Sequence, residues 1–194
     1  MAEARRRPVS VTLAYAAVRV ADSKPTASGI LLGLALAKPQ IGGPIALWML
    51  FSRRWRPLAV ASVVVAAMAA VYLIRVDANP LGIAAGYLGI LRDLYGAPAF
   101  VGRTSIRRWT HALAGDGQLG DLLWVAGAGL LLLVPCGAAI AESTHRESRA
   151  AAAVPALFCL WSLLAWFHLG NNLVLISPAF AFLLLLDDPA TRRQ

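Results

Sequence analysis

Lys38 is the first position in this sequence where a residue type and its surroundings together suggest chemistry. It interrupts the apolar stretch 28–51, and Pro39 and Gln40 follow it directly. A charge at the centre of a bilayer costs roughly 2.5–3.5 kcal/mol on insertion scales, so such a lysine either reaches water or has a function. Two roles stay open: an ordinary interfacial lysine, or a lysine that binds the phosphate of a lipid with Gln40 as a second ligand.

A second cationic segment lies at 102–113. Its apolar residues Ile106, Trp109 and Leu113 share one helical face, and basic residues spread over the opposite side, which predicts an amphipathic helix in the membrane interface. The basic residues are Arg103, Arg107, Arg108 and His111. The guanidinium fork suits phosphate, so Arg103 and Arg107 are candidate ligands of a lipid-linked phosphate. Anchoring to lipid headgroups alone explains the same pattern.

A third polar group consists of His168, Asn171 and Asn172, at a predicted turn between two apolar helices. These side chains could hydrogen-bond a sugar or a diphosphate, although asparagine is also a common turn residue. The histidines and cysteines show no metal-ligand spacing, and the sequence contains neither a glycine-rich phosphate loop nor a nucleophile motif. We therefore expect no metal and no cofactor.

The elements that must position these residues are membrane helices. The chain of 194 residues is 59% hydrophobic and 14% charged, whereas soluble proteins have about 25% charged residues. Several apolar runs approach the roughly 20 residues that a helix needs to cross a bilayer. They are 57–76, 122–141 and 151–169, with the shorter 173–186 and the broken 28–51. The sequence predicts an all-α, polytopic bundle of five to six membrane helices with interfacial helices, as one transmembrane domain over 1–194.

The broken run has two features that bear on helix packing. Small residues recur along its first half and let a neighbouring helix approach closely. They are Ser28, Gly29, Gly33 and Ala37. Pro39 and Pro44 each remove a backbone donor, so the helix must break or kink between the halves. One kinked span and a pair of helices that returns to the same side both fit this pattern.

The net charge of +8 is concentrated in arginine clusters between apolar runs. This distribution fits anionic headgroups and the positive-inside rule, and it argues against a nucleic-acid partner. The turn 53–56 is predicted to be a cytoplasmic boundary with Trp55 as an interfacial anchor, so that alternation places 142–149 in the cytoplasm and 77–121 on the outer face. We expect a multi-pass protein of the plasma membrane. Both cysteines fall within apolar runs and are expected to be buried, reduced thiols.

The residues LGLALAKPQ at 32–40, together with the basic turn 53–56, resemble glycosyltransferase family 87. Shorter segments that are similar to the family are LYG at 94–96, GRTS at 102–105, and FHLGNNL at 167–173. The resemblance covers nearly the whole chain. The family consists of polytopic GT-C-type membrane enzymes of the cell envelope, including mycobacterial mannosyltransferases that use polyprenyl-phosphate mannose.

The resemblance implies a hexosyltransferase. It would transfer a hexose, with mannose as the expected sugar, from a polyprenyl-phosphate donor to a lipid or glycan acceptor on the outer face. Lys38 and Arg103 match positions near the donor phosphate. The expected partners are the polyprenyl-phosphate sugar donor and membrane lipids, and a partner membrane subunit is left open.

One part of the family pattern is not matched. GT-C enzymes carry a catalytic carboxylate in the first outer loop, and no aspartate of this chain occupies the matching place. The aspartates considered are Asp77, Asp93, Asp116 and Asp121. We therefore expect the chain to correspond to the C-terminal part of such a fold, with the catalytic residue unknown and no transfer by the chain alone. A non-catalytic membrane subunit that binds lipid phosphates and a transporter fragment are the alternatives.

Overall fold

The computed structural model describes residues 9–76, 79, 81–83, 85–86, 88–90, 106–115, 117–144 and 153–165. Within these ranges all regular structure is α-helical, which confirms the predicted class. The helices are α1 (Val9–Arg19), α2 (Pro25–Ala35), α3 (Pro39–Phe51), α4 (Trp55–Val76), α5 (Ile106–Ala114), α6 (Gln118–Thr144) and α7 (Val154–Ala165).

Among the described helices, α4 and α6 are long and apolar enough to cross a membrane, with 22 and 27 residues. In the most apolar 18-residue stretch of each, only 11% and 22% of the residues are buried. Exposed apolar surface of this extent is a liability in water and matches the hydrocarbon of a bilayer. Five to six crossings are not confirmed, because α1 and α7 have 11 and 12 residues and 173–186 lies outside the described residues.

The broken apolar run folds as a hairpin of two helices. α2 begins at Pro25 and α3 ends at Phe51, yet the flanking residues Asp22 and Arg54 form two hydrogen bonds of 2.8 and 3.2 Å. One straight helix over that stretch would hold its ends about 40 Å apart. The chain therefore turns back at 36–38, and of the two arrangements that the sequence left open the returning pair is the one formed.

Prolines and a glycine shape this hairpin. Pro25 and Pro39 occupy the first turns of α2 and α3, where a missing N–H breaks no hydrogen bond within the helix. Gly42 lies against the turn, because a Cβ there would be 2.8 Å from the backbone nitrogen of Leu36. Pro44 lies inside α3 without ending it. The break thus falls just before Pro39, where the returning helix begins.

α2 packs closely against α4 through its two glycines. A Cβ at Gly29 would lie 2.5 Å from the Cβ of Val60, and one at Gly33 would lie 2.6 Å from the Cβ of Val64. The contact on α4 advances by four residues when the glycine does, so the two helices run in parallel. This confirms the close approach predicted from the small residues. Ser28 contacts α1 instead, because its hydroxyl donates a hydrogen bond of 2.7 Å to the carbonyl of Ala17.

A buried polar network joins three helix ends. We define the Arg54 network as Asp22, Trp48, Ser52, Arg54 and Glu142. The Glu142 carboxylate accepts hydrogen bonds from the Trp48 indole at 2.7 Å, from the Ser52 hydroxyl at 3.0 Å and from Arg54 Nη1 at 2.8 Å. Arg54 and Glu142 are only 8% and 4% exposed. Both carboxylate oxygens are thus engaged, as a buried charge requires.

Arg54 keeps its charge in this setting. Burial opposes the charged form, but the hydrogen bond to Asp22 and the charges of Glu142 and Asp22 outweigh it and raise the pKa of Arg54 above its ordinary value. The guanidinium also lies 4.4 Å from the centre of the Trp48 ring, at cation–π distance. The sequence predicted a boundary turn at 53–56, and the structure adds that one arginine of this turn is the counter-ion of a buried carboxylate.

α6 and α7 run antiparallel, and two indoles join them. Trp161 donates a hydrogen bond of 2.9 Å to the carbonyl of Ala128, and Trp124 donates one of 2.7 Å to the carbonyl of Ala165. The two cysteines, one in each helix, are buried free thiols, as predicted.

The two ends of α6 identify the two ends of the bundle. Its C-terminal end carries Glu142 and meets the 52–54 turn through Arg54, as the predicted alternation requires; we call this the network end. The N-terminal end follows α5 through Gly115, whose φ of 82° suits a glycine in a tight turn; we call this the α5 end. Which end faces the cytoplasm stays a prediction.

The packing of α2 on α4 predicts the effect of one methyl group. Gly29→Ala should lower the thermal midpoint in detergent, because the new Cβ would lie 2.5 Å from Val60 and 2.6 Å from the carbonyl oxygen of Pro57. Overpacking of this kind costs about 1–3 kcal/mol. Gly137→Ala in α6 is the matched control, since a Cβ there meets nothing within 4 Å. Equal midpoints for both variants would contradict the packing.

The Arg54 network predicts unequal effects for its two carboxylates. Glu142→Ala leaves a buried guanidinium and two buried donors without their acceptor, so the free energy of unfolding should fall by about 3–5 kcal/mol. The side chain of Asp22 is 62% exposed, so Asp22→Ala should cost about 1 kcal/mol or less. Denaturant titration in detergent micelles measures both. Small and equal losses would mean that the guanidinium of Arg54 reaches water once Glu142 is removed.

Candidate functional site

Lys38 lies at the tip of the α2–α3 hairpin and directly precedes α3. Its backbone builds the tip: the amide donates to the carbonyl of Ala35 at 3.0 Å, and the carbonyl accepts from the amides of Ile41 and Gly42 at 2.9 and 3.0 Å. The side chain is exposed and forms no ion pair or hydrogen bond with any residue that the structure describes. The tip thus presents an ammonium group held by a well-defined backbone.

The lengths of the hairpin helices set the depth of this lysine. α2 and α3 have 11 and 13 residues, which span about 16–20 Å at 1.5 Å per residue. α2 lies parallel to α4, and both begin at the network end. The tip is therefore level with the middle of α4, so a bilayer crossed by α4 would place it inside the roughly 30 Å of hydrocarbon. An ammonium group at that depth needs water or an anion beside it.

An apolar groove runs from the tip toward the network end. Its cavity volume is about 400 Å³. One wall is a face of α3 that extends from Pro39 and Gln40 to Leu50, and the other wall contains Leu58 of α4 and Trp161 of α7. Gln40 therefore lies at the end of the groove that adjoins Lys38. An apolar channel with an amide and a cation at one end suits an amphiphile that has a hydrocarbon chain and an anionic head.

Arg107, the other described cation among the predicted ligands, lies in a separate cluster. Asp121 Oδ1 accepts hydrogen bonds from Arg107 Nε and Nη2 at 3.2 and 3.1 Å, and His111 Nε2 lies 3.0 Å from the same oxygen. The guanidinium also lies 5.4 Å from the centre of the Trp124 ring. Asp121 stands in the first turn of α6, so this cluster fastens α5 to the α5 end of the bundle. Arg107 thus already has a carboxylate partner.

The predicted amphipathic helix is confirmed over Ile106–Ala114. Its apolar residues Trp109 and Leu113 are 69% and 85% exposed, whereas Arg107 and His111 face α6. The helix therefore turns its polar side to the protein and presents apolar side chains outward, which fits a helix lying in the membrane interface.

The structure groups the predicted ligands only in part. It brings Lys38 and Gln40 together at the hairpin tip and holds Arg107 in the Asp121 cluster. Arg103, His168, Asn171 and Asn172 lie outside the described residues. From Asp121 to Glu142 α6 rises about 32 Å, so Arg107 lies nearer the α5 end than Lys38 does. The convergence of all these groups on one ligand stays a prediction.

Sequence reasoning missed the polar network at the other end. Glu142 was assigned to a polar turn at 142–149, but α6 continues to Thr144 and buries this carboxylate. The signal in the sequence was an acidic residue directly after the apolar residues of a membrane helix. Trp48 and Ser52 lie near the end of another apolar helix. Their pairing with the acidic residue can be predicted only once the two helix ends are known to meet.

The Asp121 cluster predicts how α5 is held. Asp121→Asn should speed hydrogen exchange of the 106–114 amides by up to about five-fold, because a partly exposed ion pair contributes about 1 kcal/mol or less. Ser143→Ala, near the other end of α6, is the control, because among the described residues that hydroxyl bonds only to the carbonyl of Ile140 in its own helix. Unchanged exchange in Asp121→Asn would mean that apolar contacts alone hold α5.

The comparisons with known proteins add one finding. The family model for glycosyltransferase family 87 matches residues 8–178. Searches of curated proteins and of solved structures gave no match. The matched stretch contains every residue that the structure describes, and so includes the hairpin, the groove and the Asp121 cluster. Since the match covers most of its length, the chain belongs to glycosyltransferase family 87.

Proposed function

We propose that this chain binds a polyprenyl-phosphate sugar and takes part in the transfer of its hexose, with mannose as the expected sugar, to a lipid or glycan acceptor. The membership in family 87 supports glycosyl transfer at the family level. The observation that carries the donor assignment is the hairpin tip, where Lys38 and Gln40 adjoin an apolar groove. We infer a multi-pass protein of the plasma membrane in which the acceptor approaches Lys38 from the outer face.

The groove suits the isoprenoid chain. Its α3 wall extends over twelve residues, or about 18 Å, and carries mostly apolar side chains. A polyprenyl chain lying there would place its phosphate at the tip, within reach of the Lys38 ammonium and the Gln40 amide. Charge-assisted hydrogen bonds of this kind are worth about 1.5–3 kcal/mol each, which offsets the cost of a lysine at this depth.

In glycosyl transfer from a polyprenyl phosphate, Lys38 would stabilise the departing phosphate. In the transfer, the bond between the sugar C1 and the phosphate oxygen breaks, a bond forms between C1 and the acceptor oxygen, and the acceptor proton passes to a base. Negative charge builds up on the departing polyprenyl phosphate. An ammonium group beside an apolar groove stabilises that charge more strongly than it would in water.

The described carboxylates favour a second candidate, a lipid-phosphate-binding membrane subunit without catalysis. Transfer needs a base for the acceptor hydroxyl. Asp22 and Glu142 are paired with Arg54 at the network end, and Asp121 is paired with Arg107. Each carboxylate that the structure describes is therefore held by a guanidinium and stands away from the hairpin tip.

Lys38→Ala should weaken the binding of polyprenyl phosphate in nanodiscs at least about ten-fold, since ten-fold equals 1.4 kcal/mol. Lys24→Ala is the matched control, because Lys24 also directly precedes a proline-started helix, α2, but at the network end. It should change the affinity little. Equal losses in the two variants would indicate general attraction to anionic lipid and would contradict the site.

Two further measurements separate the parts of the proposal. Gly43→Leu should reduce the binding of the long polyprenyl phosphate but not of a short-chain analogue, because Gly43 lines the groove and a Cβ there meets nothing within 4 Å. Incubation with polyprenyl-phosphate mannose and an acceptor lipid tests transfer. Turnover that falls in Lys38→Ala supports the transferase, whereas binding without turnover supports the non-catalytic subunit.

A further inference from the structure

A second polar cavity lies at the network end, far from the hairpin tip. We define the turn pocket as the cavity of about 220 Å³ between the α1–α2 turn and the α3–α4 turn. Its walls carry Asp22, Arg53, Arg54 and Arg56, with Trp55 at the side. Three arginines and one aspartate therefore line this cavity.

The arginines of the turn pocket have different partners. Arg54 is engaged by Asp22 within the pocket and by Glu142 behind it. Arg53 and Arg56 are exposed, and neither forms an ion pair or hydrogen bond with any of the described residues. The positive charge available to a ligand thus comes from these two side chains.

The backbone of Arg53 supports a role for its side chain. α3 ends with hydrogen bonds from the Arg53 amide to the carbonyl of Leu50 at 3.1 Å and from the Arg54 amide to the carbonyl of Met49 at 2.8 Å. This is a Schellman ending, in which the residue after the cap is usually glycine because it adopts a left-handed conformation. Arg53 has a φ of 56° there. An arginine costs free energy where glycine would fit, and a bound anion would offset that cost.

The position of the turn pocket indicates the source of the anion. The pocket lies where α4, one of the two helices able to cross a membrane, begins. Trp55, at that point, is 59% exposed, as is typical of an indole at the level of lipid headgroups. The first turn of α4 contains no acidic residue, so its free amides add to the positive potential. Phospholipid phosphates lie at this level in a bilayer.

We propose that the turn pocket binds the phosphate of an anionic membrane phospholipid through Arg53 and Arg56. Arg54, fixed by Asp22 and Glu142, keeps the Asp22 carboxylate from repelling it. This site is distinct from the donor site proposed at Lys38, since it lies at the opposite end of the hairpin. It does not depend on glycosyl transfer.

The test uses the purified chain in phosphatidylcholine nanodiscs with increasing phosphatidylglycerol, and native mass spectrometry measures retained phosphatidylglycerol. Arg53→Gly should weaken retention about ten-fold while leaving the thermal midpoint in pure phosphatidylcholine unchanged or higher, since glycine suits the left-handed position. Arg56→Gln, which leaves that turn intact, should also weaken retention. If Arg53→Gly lowers the thermal midpoint, the phosphatidylglycerol retention of Arg56→Gln decides the test.

Arg75→Gln is the matched control, because it removes one exposed arginine from the other end of α4. It should leave phosphatidylglycerol retention unchanged. Unchanged retention in Arg56→Gln, or equal losses in Arg56→Gln and Arg75→Gln, would overturn the proposal. Displacement of the lipid by millimolar glycerol phosphate would also overturn it, because the pocket would then be a site for soluble phosphates. Loss of retention with polyprenyl-phosphate binding intact supports the proposal independently of the donor site.

Discussion

The rest of this structure depends on the ion pairs that the guanidinium of Arg54 forms with two carboxylates. Arg54 bonds to Glu142 near the end of α6 and to Asp22 between α1 and α2, while its own backbone links α3 to α4. A buried carboxylate and a buried guanidinium each carry a large desolvation cost without the other. The helix ends that supply them are therefore held at one end of the bundle.

The position of Lys38 follows from that constraint. Because Asp22 and Arg54 meet, the chain between them must leave the network end and return, and it turns midway, where Pro39 starts a new helix. Gly29 and Gly33 keep the outgoing helix against α4. The turn therefore delivers a lysine to the depth of the hydrocarbon, where an anion interacts with it more strongly than in water.

The cations of this chain differ in how far other residues engage them. Arg54 and Arg107 are paired with carboxylates and act as structural ties between helices. Lys38 and Arg53 sit at turns, exposed, in backbone positions fixed by the ends of helices. A phosphate ligand is proposed at each of these turns, that of the sugar donor at the first and that of a membrane phospholipid at the second.

The sequence by itself determined the helices. The predicted run 57–76 corresponds to Trp55–Val76, and 122–141 lies within Gln118–Thr144, because a long apolar stretch is a local property that neighbouring residues share. It also indicated the break beside Lys38, the close approach of small residues and the family. The tertiary structure decided that the hairpin returns, that α5 turns its basic side to Asp121, and that Arg54 is buried. Arg54 and Glu142 are separated by 88 positions, and a charge pair at that separation leaves no periodicity in the sequence, since it forms only where the fold brings two helix ends together.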